Sequence, residues 1–502
     1  MDASAPMLPP LSKKDDDFPA RLRVHRGHLF NCFYFPALGG LLYGYDIGAM
    51  AMALRDLTSP EYSGTAWHGA LSASSTLQGV VVSVVTFGAV LGSLACYQFE
   101  AALGRRNELS IASACYAVAA AGQYAAGSRT LFPTGAAALA ALCCARLLYG
   151  VGVGFAMHGA PSYIAETAPP ALRGALVSGK EAMIVAGMLL GYCVGDAFQQ
   201  QEGGWRYTFL CALPVACIMF GGLLVIPRSP RWLALRGRHD EAAAAVLYVT
   251  PGASAAAVEA IACAPPQPPG GGAAALWADP ASRLALVAGL GLVVLQQVTG
   301  QPSVLYYVAD FFAETGLGNG ATIGLAAWKL VCTSMAVVTV DAFGRRQLLL
   351  CGIWIMAAAL CLLTCTTALL GASTAAYRGM ALGAMYLYIG GYQAGFGPVT
   401  WTVISEVFPL HRRGQALAMA TVTNFALNGL VSLCAAPLLE FSPPFTFAVF
   451  FCMCCYAIYF VGAHVPETRG LSLEQITAML NDLAARRSPA PKPSSDTDSL
   501  LL

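Results

Sequence analysis

Three amide side chains, Gln296, Gln297 and Gln301, fall within six residues of one another in an otherwise apolar stretch. An amide offers a donor and an acceptor at once, which suits hydroxyl groups that are both. Amides grouped this closely are poor candidates for a lipid-facing surface. A carboxylate, Asp46, stands in the first long apolar run. Taking it out of water costs enough that it reads first as a proton or charge-pairing site, with a permanent structural bridge as the plain alternative. Charges also recur at the ends of apolar runs: Arg105, Arg106, Glu166 and Arg173 early, Arg345, Arg346, Glu406 and Arg413 later. There they suit an ion-pair network that biases a two-state equilibrium, and they suit topology-setting equally well.

Membrane-crossing helices must hold these groups. With 57% hydrophobic and 11% charged residues, the 502-residue chain has too little polar surface to cover a soluble multidomain enzyme. Its net charge of +1 gives no field to hold nucleic acid. Most of the 17 cysteines lie in apolar runs, as Cys143-Cys144 and Cys452, Cys454 and Cys455 do, and read as helix-packing residues. No paired C-x-x-C spacing points to zinc, so no metal and no cofactor are expected. Asp15 to Asp17 and Arg21, Arg23 and Arg26 precede the first apolar run without a cleavable signal pattern, so that run is expected to stay in the mature protein.

A bilayer core takes about 20 apolar residues per helix, and twelve runs of that kind are present. They fall near 29–53, 75–98, 108–127, 135–161, 175–197 and 205–226, then 284–312, 320–340, 347–371, 379–404, 415–438 and 444–465. The expected organisation is an N-terminal tail (1–27), a six-helix half (28–227), a linker (228–282) with the breakers Pro265, Pro266, Pro268 and Pro269, a second six-helix half (283–466) and a C-terminal tail (467–502). With both termini cytoplasmic, Arg55, Arg129, Arg206 and Arg378 fall outside and Arg146, Lys180 and Lys329 within spans. The other 21 of 28 basic residues are then inside, the retained side. Gly104-Arg105-Arg106 recurs as Gly344-Arg345-Arg346, and Glu166 with Arg173-Gly174 as Glu406 with Arg413-Gly414, each pair 240 residues apart. Two homologous halves running in the same direction are the plan of a rocking transporter with its site at the midplane.

Motifs from about residue 35 to 477 resemble the sugar porter branch of the major facilitator superfamily: Gly40-Leu41-Leu42-Tyr43-Gly44-Tyr45-Asp46, Pro230-Arg231-Trp232-Leu233, Gln296-Gln297-Val298-Thr299-Gly300-Gln301, Gly397-Pro398-Val399-Thr400-Trp401 and Pro466-Glu467-Thr468-Arg469-Gly470. The stretch Gln301 to Tyr307 most resembles xylose/proton symporter-like proteins of plants and algae, which does not establish a xylose substrate. The resemblance implies an all-α membrane protein of twelve helices that carries a monosaccharide by alternating access. It implies that Asp46 accepts a proton and faces Arg146, and that Gln296, Gln297, Gln301, Phe396, Trp401, Asn424 and Asn428 line the sugar site. Tyr306 and Tyr307 are implied in gating. A passive facilitator of the same fold is the alternative, and a non-transporting sugar receptor a more distant one.

Departures from the pattern carry further expectations. Glu181 and Lys329 stand where the family commonly has Gln and Asn, and are expected to bind substrate and to pair across the halves; Pro302 replaces an Asn. Ala101 replaces the acid of the first Gly-Arg-Arg motif, and Arg228 the acid before Ser229-Pro230. Gly150-Val151-Gly152-Val153-Gly154 lacks a preceding soluble strand, so it reads as helix packing rather than a nucleotide loop. His158 reads as a packing histidine or a proton relay. Asp496 to Leu501 resembles an acidic dileucine signal for a vacuolar or endosomal membrane, with the plasma membrane left open.

Overall fold

A computed structural model describes residues 25–251, 253, 277–314, 316–371, 374–408, 413–469 and 473–487. Among these the regular structure is helical throughout. The first half contains α1 (Arg26–Thr58), the short α2 (His68–Ser72), α3 (Ser75–Leu103), α4 (Arg105–Ala125), α5 (Gly135–Thr167), α6 (Pro170–Phe198), α7 (Gly204–Leu210) and α8 (Ala212–Val225). Two short helices, α9 (Pro230–Leu235) and α10 (His239–Val249), occupy the start of the linker. The second half contains α11 (Pro280–Val298), α12 (Gln301–Glu314), α13 (Asn319–Phe343), α14 (Arg345–Leu369), α15 (Ala375–Ala394), α16 (Phe396–Val407), α17 (Arg413–Phe441) and α18 (Pro443–His464), and α19 (Leu473–Arg487) follows.

Taking α7 with α8, α11 with α12 and α15 with α16 as broken spans gives the twelve expected crossings. Nine spans among the described residues are long and apolar enough to cross a membrane on those criteria alone. The other three, α4, α13 and α15 with α16, dilute their apolar residues with Arg105, Arg106 and Glu108, with Lys329, or with Tyr and Gly. The breaker-rich part of the linker and the dileucine-like segment lie outside the described residues.

The 240-residue repeat reappears in local geometry. Thr134 caps α5 by accepting from the Ala137 amide at 3.3 Å, and Thr374 caps α15 by accepting from the Tyr377 amide at 3.1 Å. Gly104 and Gly344 make the sharp turns into α4 and α14 at φ 73° and 86°, a region that side chains resist. The repeat is broken where α1 is continuous but its counterpart is interrupted between α11 and α12. Gly300 has φ 100° there, and a Cβ would lie 2.4 Å from the Phe450 ring. Interrupted helices turn polar groups toward a cavity, and this one carries Gln296 and Gln297 before the break and Gln301 after it.

Small residues bring helices together. A Cβ on Gly44 would lie 1.8 Å from the Ile184 carbonyl oxygen, which locks α1 onto α6. Gly150 and Gly154 meet the Val85 and Ala89 carbonyls of α3 at 1.9 and 2.5 Å by the same measure, so the Gly-Val repeat serves helix packing. The halves meet along α3 with α17, α6 with α13 and α1 with α12. Their polar contacts cluster at the end of the bundle away from the termini. Arg55 donates to Asn319 Oδ1 at 2.7 Å, Asn319 bonds to Asp196 and Gln199, and Tyr192 donates to the Leu305 carbonyl at 2.7 Å. That end is shut.

Candidate functional site

Between the halves lies a cavity lined by residues of both. Behind its N-terminal wall, Asp46 on α1 and Arg146 on α5 form a two-pronged ion pair at 3.2 and 3.3 Å. Arg146 is fully buried, and its remaining Nε–H donates to the Val81 carbonyl of α3 at 2.8 Å. Its guanidinium also lies 5.4 Å from the centre of the Phe209 ring. Tyr149 donates to the Leu42 carbonyl at 2.8 Å and fixes α1 at this depth. Losing one partner of such a pair costs about 3–5 kcal/mol, because the other charge stays buried. His158, weighed as a relay or a packing residue, has its Nδ1 3.1 Å from Glu108 Oε2 and Cys96 close by.

The C-terminal wall is amide-lined, with Lys329 its one charged residue among the described ones. Gln297 donates to Asn424 Oδ1 at 2.6 Å and accepts from Asn428 at 3.2 Å, joining α11 to α17. Gln296 donates to the Phe396 carbonyl at 2.8 Å. Gln296 Oε1 and Asn428 Oδ1 are buried without a protein partner, and both residues line the cavity with Gln301 and Trp401. An orphaned acceptor costs about 1–3 kcal/mol, so a ligand hydroxyl that donates to it recovers that loss.

Eight of the nine residues expected to bind substrate line the cavity. Phe396 is the correction: its side chain is fully buried and absent from the lining, and only its carbonyl serves the site, by orienting Gln296. Phe396 opens α16 directly after the break at Gly395, and the local backbone there turns the ring into the core. Glu181 and Lys329, expected to pair, make no direct ion pair and act on each other only across a longer distance. Glu181 meets its chain neighbour Lys180 at 3.3 Å, while Lys329 lies 5.9 Å from the centre of the Tyr392 ring. A neighbour on the same helix satisfies the carboxylate more readily than a side chain that must cross the cavity. Tyr306 and Tyr307 on α12 are buried and off the cavity wall, and Tyr307 donates to the Ser432 carbonyl at 3.2 Å.

At the terminus-bearing end, Arg105 meets Glu166 at 3.4 Å and Arg345 meets Glu406 at 3.0 Å. Arg106 donates to the Ile226 carbonyl at 3.0 Å, and Arg346 to that of Gly462. The side chains of Arg173 and Arg413 lie outside the described residues.

Lining residues not singled out from the sequence include Tyr43, Lys180, Thr333, Tyr392 and Gln393. Gln393 donates to Thr333, whose hydroxyl donates to the Lys329 carbonyl at 2.7 Å. The signal that marked Gln296, an amide inside an apolar span, was present at Gln393 as well. Lys180 was visible only as a charge within a span, with nothing to show which way it faces.

The sequence matches the family described as "Sugar (and other) transporter" over residues 32–480. It is 40% identical over 472 residues to "D-xylose-proton symporter-like 3, chloroplastic" of Arabidopsis thaliana, covering 89% of this chain and 82% of that one. It is 32% identical over 462 residues to the glucose facilitated diffusion protein of Zymomonas mobilis, covering 88% and 95%. Among solved structures, the partially occluded inward-open xylose transporter XylE from E. coli superposes with a TM-score of 0.73 at 26% identity, covering 89% of this chain and all of that one. The major facilitator superfamily proton:xylose symporter XylE bound to 6-bromo-6-deoxy-D-glucose gives 0.72 at 27% identity, covering 91% and 99%.

Proposed function

The chain belongs to the sugar transporter family, and from that premise we propose that it moves a monosaccharide together with a proton, by alternating access to the cavity between its halves. It is an integral membrane transporter of the major facilitator fold rather than an enzyme. One observation carries the sugar assignment: the amides Gln296, Gln297, Gln301, Asn424 and Asn428 line one cavity together with Trp401. Amides exchange hydrogen bonds with ligand hydroxyls, and the indole covers the apolar face of a sugar ring.

The proton assignment rests on Asp46. Contact with Arg146 favours the charged carboxylate against its burial, and rocking that separates the two leaves it in a dry site where protonation removes the cost of burial. Both termini are cytoplasmic in this reading, so the closed end is the extracellular or luminal one, Tyr306 and Tyr307 belong to that gate, and the Arg105–Glu166 and Arg345–Glu406 pairs belong to the cytoplasmic one. The passive alternative draws on the completeness of the ion pair, which spends both carboxylate oxygens on Arg146.

Uptake into proteoliposomes over a panel of pentoses and hexoses, with and without a proton gradient, separates the two. The wild-type protein is expected to accumulate sugar under an inward gradient. Asp46→Asn is expected to lose accumulation and keep sugar exchange; accumulation that survives in this variant moves the proton site elsewhere. Wild-type protein that only equilibrates sugar is a facilitator. Gln297→Ala and Asn428→Ala are expected to lose about 1–3 kcal/mol of binding each, roughly 5- to 150-fold in affinity. Unchanged calorimetric affinity in both would remove the sugar from this wall.

A further inference from the structure

We propose that the preferred ligand of the cavity is a monoanionic sugar acid, a monosaccharide whose carboxylate contacts Lys329. The inference rests on the sugar-binding reading of the cavity and names the chemical class within it. Among the described residues, the charged groups on the cavity wall are Lys180, Glu181 and Lys329. Lys180 and Glu181 neutralise each other at 3.3 Å. The neighbouring Asp46 cannot serve Lys329, because both of its oxygens are held by Arg146. Lys329 is 7% exposed, makes no direct ion pair among the described residues and lies 5.9 Å from the centre of the Tyr392 ring, with Glu181 acting on it only across a longer distance, so the wall as a whole keeps one positive charge in excess.

A buried ammonium without a counter-charge or a full set of acceptors is unfavourable, and in a membrane span such a group is a ligand-site hypothesis by default. The surroundings are built rather than incidental. Thr333, one turn further along α13, is fixed by its own bond to the Lys329 carbonyl and accepts from Gln393 across to α15. A neutral hexose brings only hydroxyls to Lys329 and leaves the wall one positive charge in excess. A single carboxylate cancels that excess and takes a charge-assisted hydrogen bond from the ammonium. A dianionic sugar phosphate overshoots the balance and adds repulsion from Glu181. The amides Gln297, Asn424 and Asn428 remain to hold ring hydroxyls, so carboxylate and ring are recognised by different helices of the same half.

The test uses full-length protein in lipid nanodiscs and calorimetric affinities for glucuronate, galacturonate and mannuronate. Each is measured against its parent hexose and its uncharged uronamide, with glucose 6-phosphate added. The expected result is at least one uronate bound about 10-fold or more tighter than both its uncharged partners. Lys329→Arg is expected to keep that preference and Lys329→Asn to collapse it, with thermal unfolding measured on both variants to establish that they fold. Uronates bound no better than their hexoses by wild-type protein, or a preference that survives Lys329→Asn in folded protein, would overturn the inference and leave the neutral-sugar reading standing. Glucose 6-phosphate bound tighter than every uronate would overturn the monoanion assignment. Failure of folded protein to bind or carry any of these sugars or a panel of neutral pentoses and hexoses would remove the sugar reading itself, and the inference with it.

Discussion

The two terminus-end charge clusters begin as copies and finish differently. In each, an arginine at the start of a helix meets a glutamate 61 residues later, Arg105 with Glu166 and Arg345 with Glu406. In each, a hydroxyl from the chain beyond the sixth span of its half completes the glutamate: Ser229 donates to Glu166, and Thr468 donates to Glu406 at 2.6 Å. The residue before that hydroxyl separates them. Glu467 accepts from the backbone amides of Arg345 and Arg346 at 3.0 and 3.1 Å, an anion seated on the N-terminus of α14. Its counterpart, Arg228, is a cation whose guanidinium lies 5.6 Å from the centre of the Trp232 ring, and Trp232 packs against the turn at Gly104. A duplicated device thus keeps its ion pair and loses its helix cap in one copy. The second half keeps an acid on its helix N-terminus, and the first sets a cation against an aromatic ring there instead.

The largest expected effect comes from Glu406→Gln. It removes the negative charge facing the 12%-exposed Arg345 guanidinium and one of the two oxygens that accept separately from Arg345 and Thr468. A loss of about 2–3 kcal/mol is expected, below the fully buried range because both partners retain some water. Glu166→Gln is expected to cost less, about 1–2 kcal/mol, because it strips a longer contact of 3.4 Å. Thermal unfolding of detergent-purified protein ranks the two, and a reversed order would break the comparison.

Glu467→Ala comes next, with a loss of about 1–2 kcal/mol from two uncapped amides and a weakened helix-dipole contact. Its midpoint is expected to approach that of a protein whose two halves are alike in lacking the acid. The smallest effect is a gain. Arg228→Glu restores an acid at the N-terminus of α4 and is expected to add about 0.5–1 kcal/mol. A lower midpoint in this variant would mean that the Trp232 contact holds the first half more strongly than a helix cap does.

The repeat, the span count and the chemistry of most site residues were legible in the chain because each depends on short-range information. Apolar run length marks a span, and identical offsets mark a duplication. Even the Arg228 departure was readable, although its consequence needed the amides of Arg345 and Arg346 to be seen beside Glu467. Asp46 and Arg146 were joined by resemblance, since the 100 residues between them leave no local pattern that brings them together.

Where the sequence reading failed, helix rotation and crossing distance decided. Phe396 lies in the same motif as Trp401, and their separation of five residues along α16 turns one ring about 140° from the other, so one is buried while the other faces the cavity. The sequence puts Glu181 and Lys329 on different halves, yet it fixes neither the azimuth of each side chain nor the width of the cavity between them. Glu181 makes its direct contact with the ammonium beside it on α6, and reaches Lys329 only at longer range.

The sequence by itself determined that this is a membrane protein of two homologous six-helix halves with amides and a carboxylate at their interior, because hydropathy, spacing and repetition are properties of the chain. Only the tertiary structure decided which end is closed, which polar atoms remain unsatisfied and where one positive charge is left over. Those depend on distances between helices far apart in sequence, set by glycine contacts such as Gly44 against Ile184 that fix how closely two backbones approach.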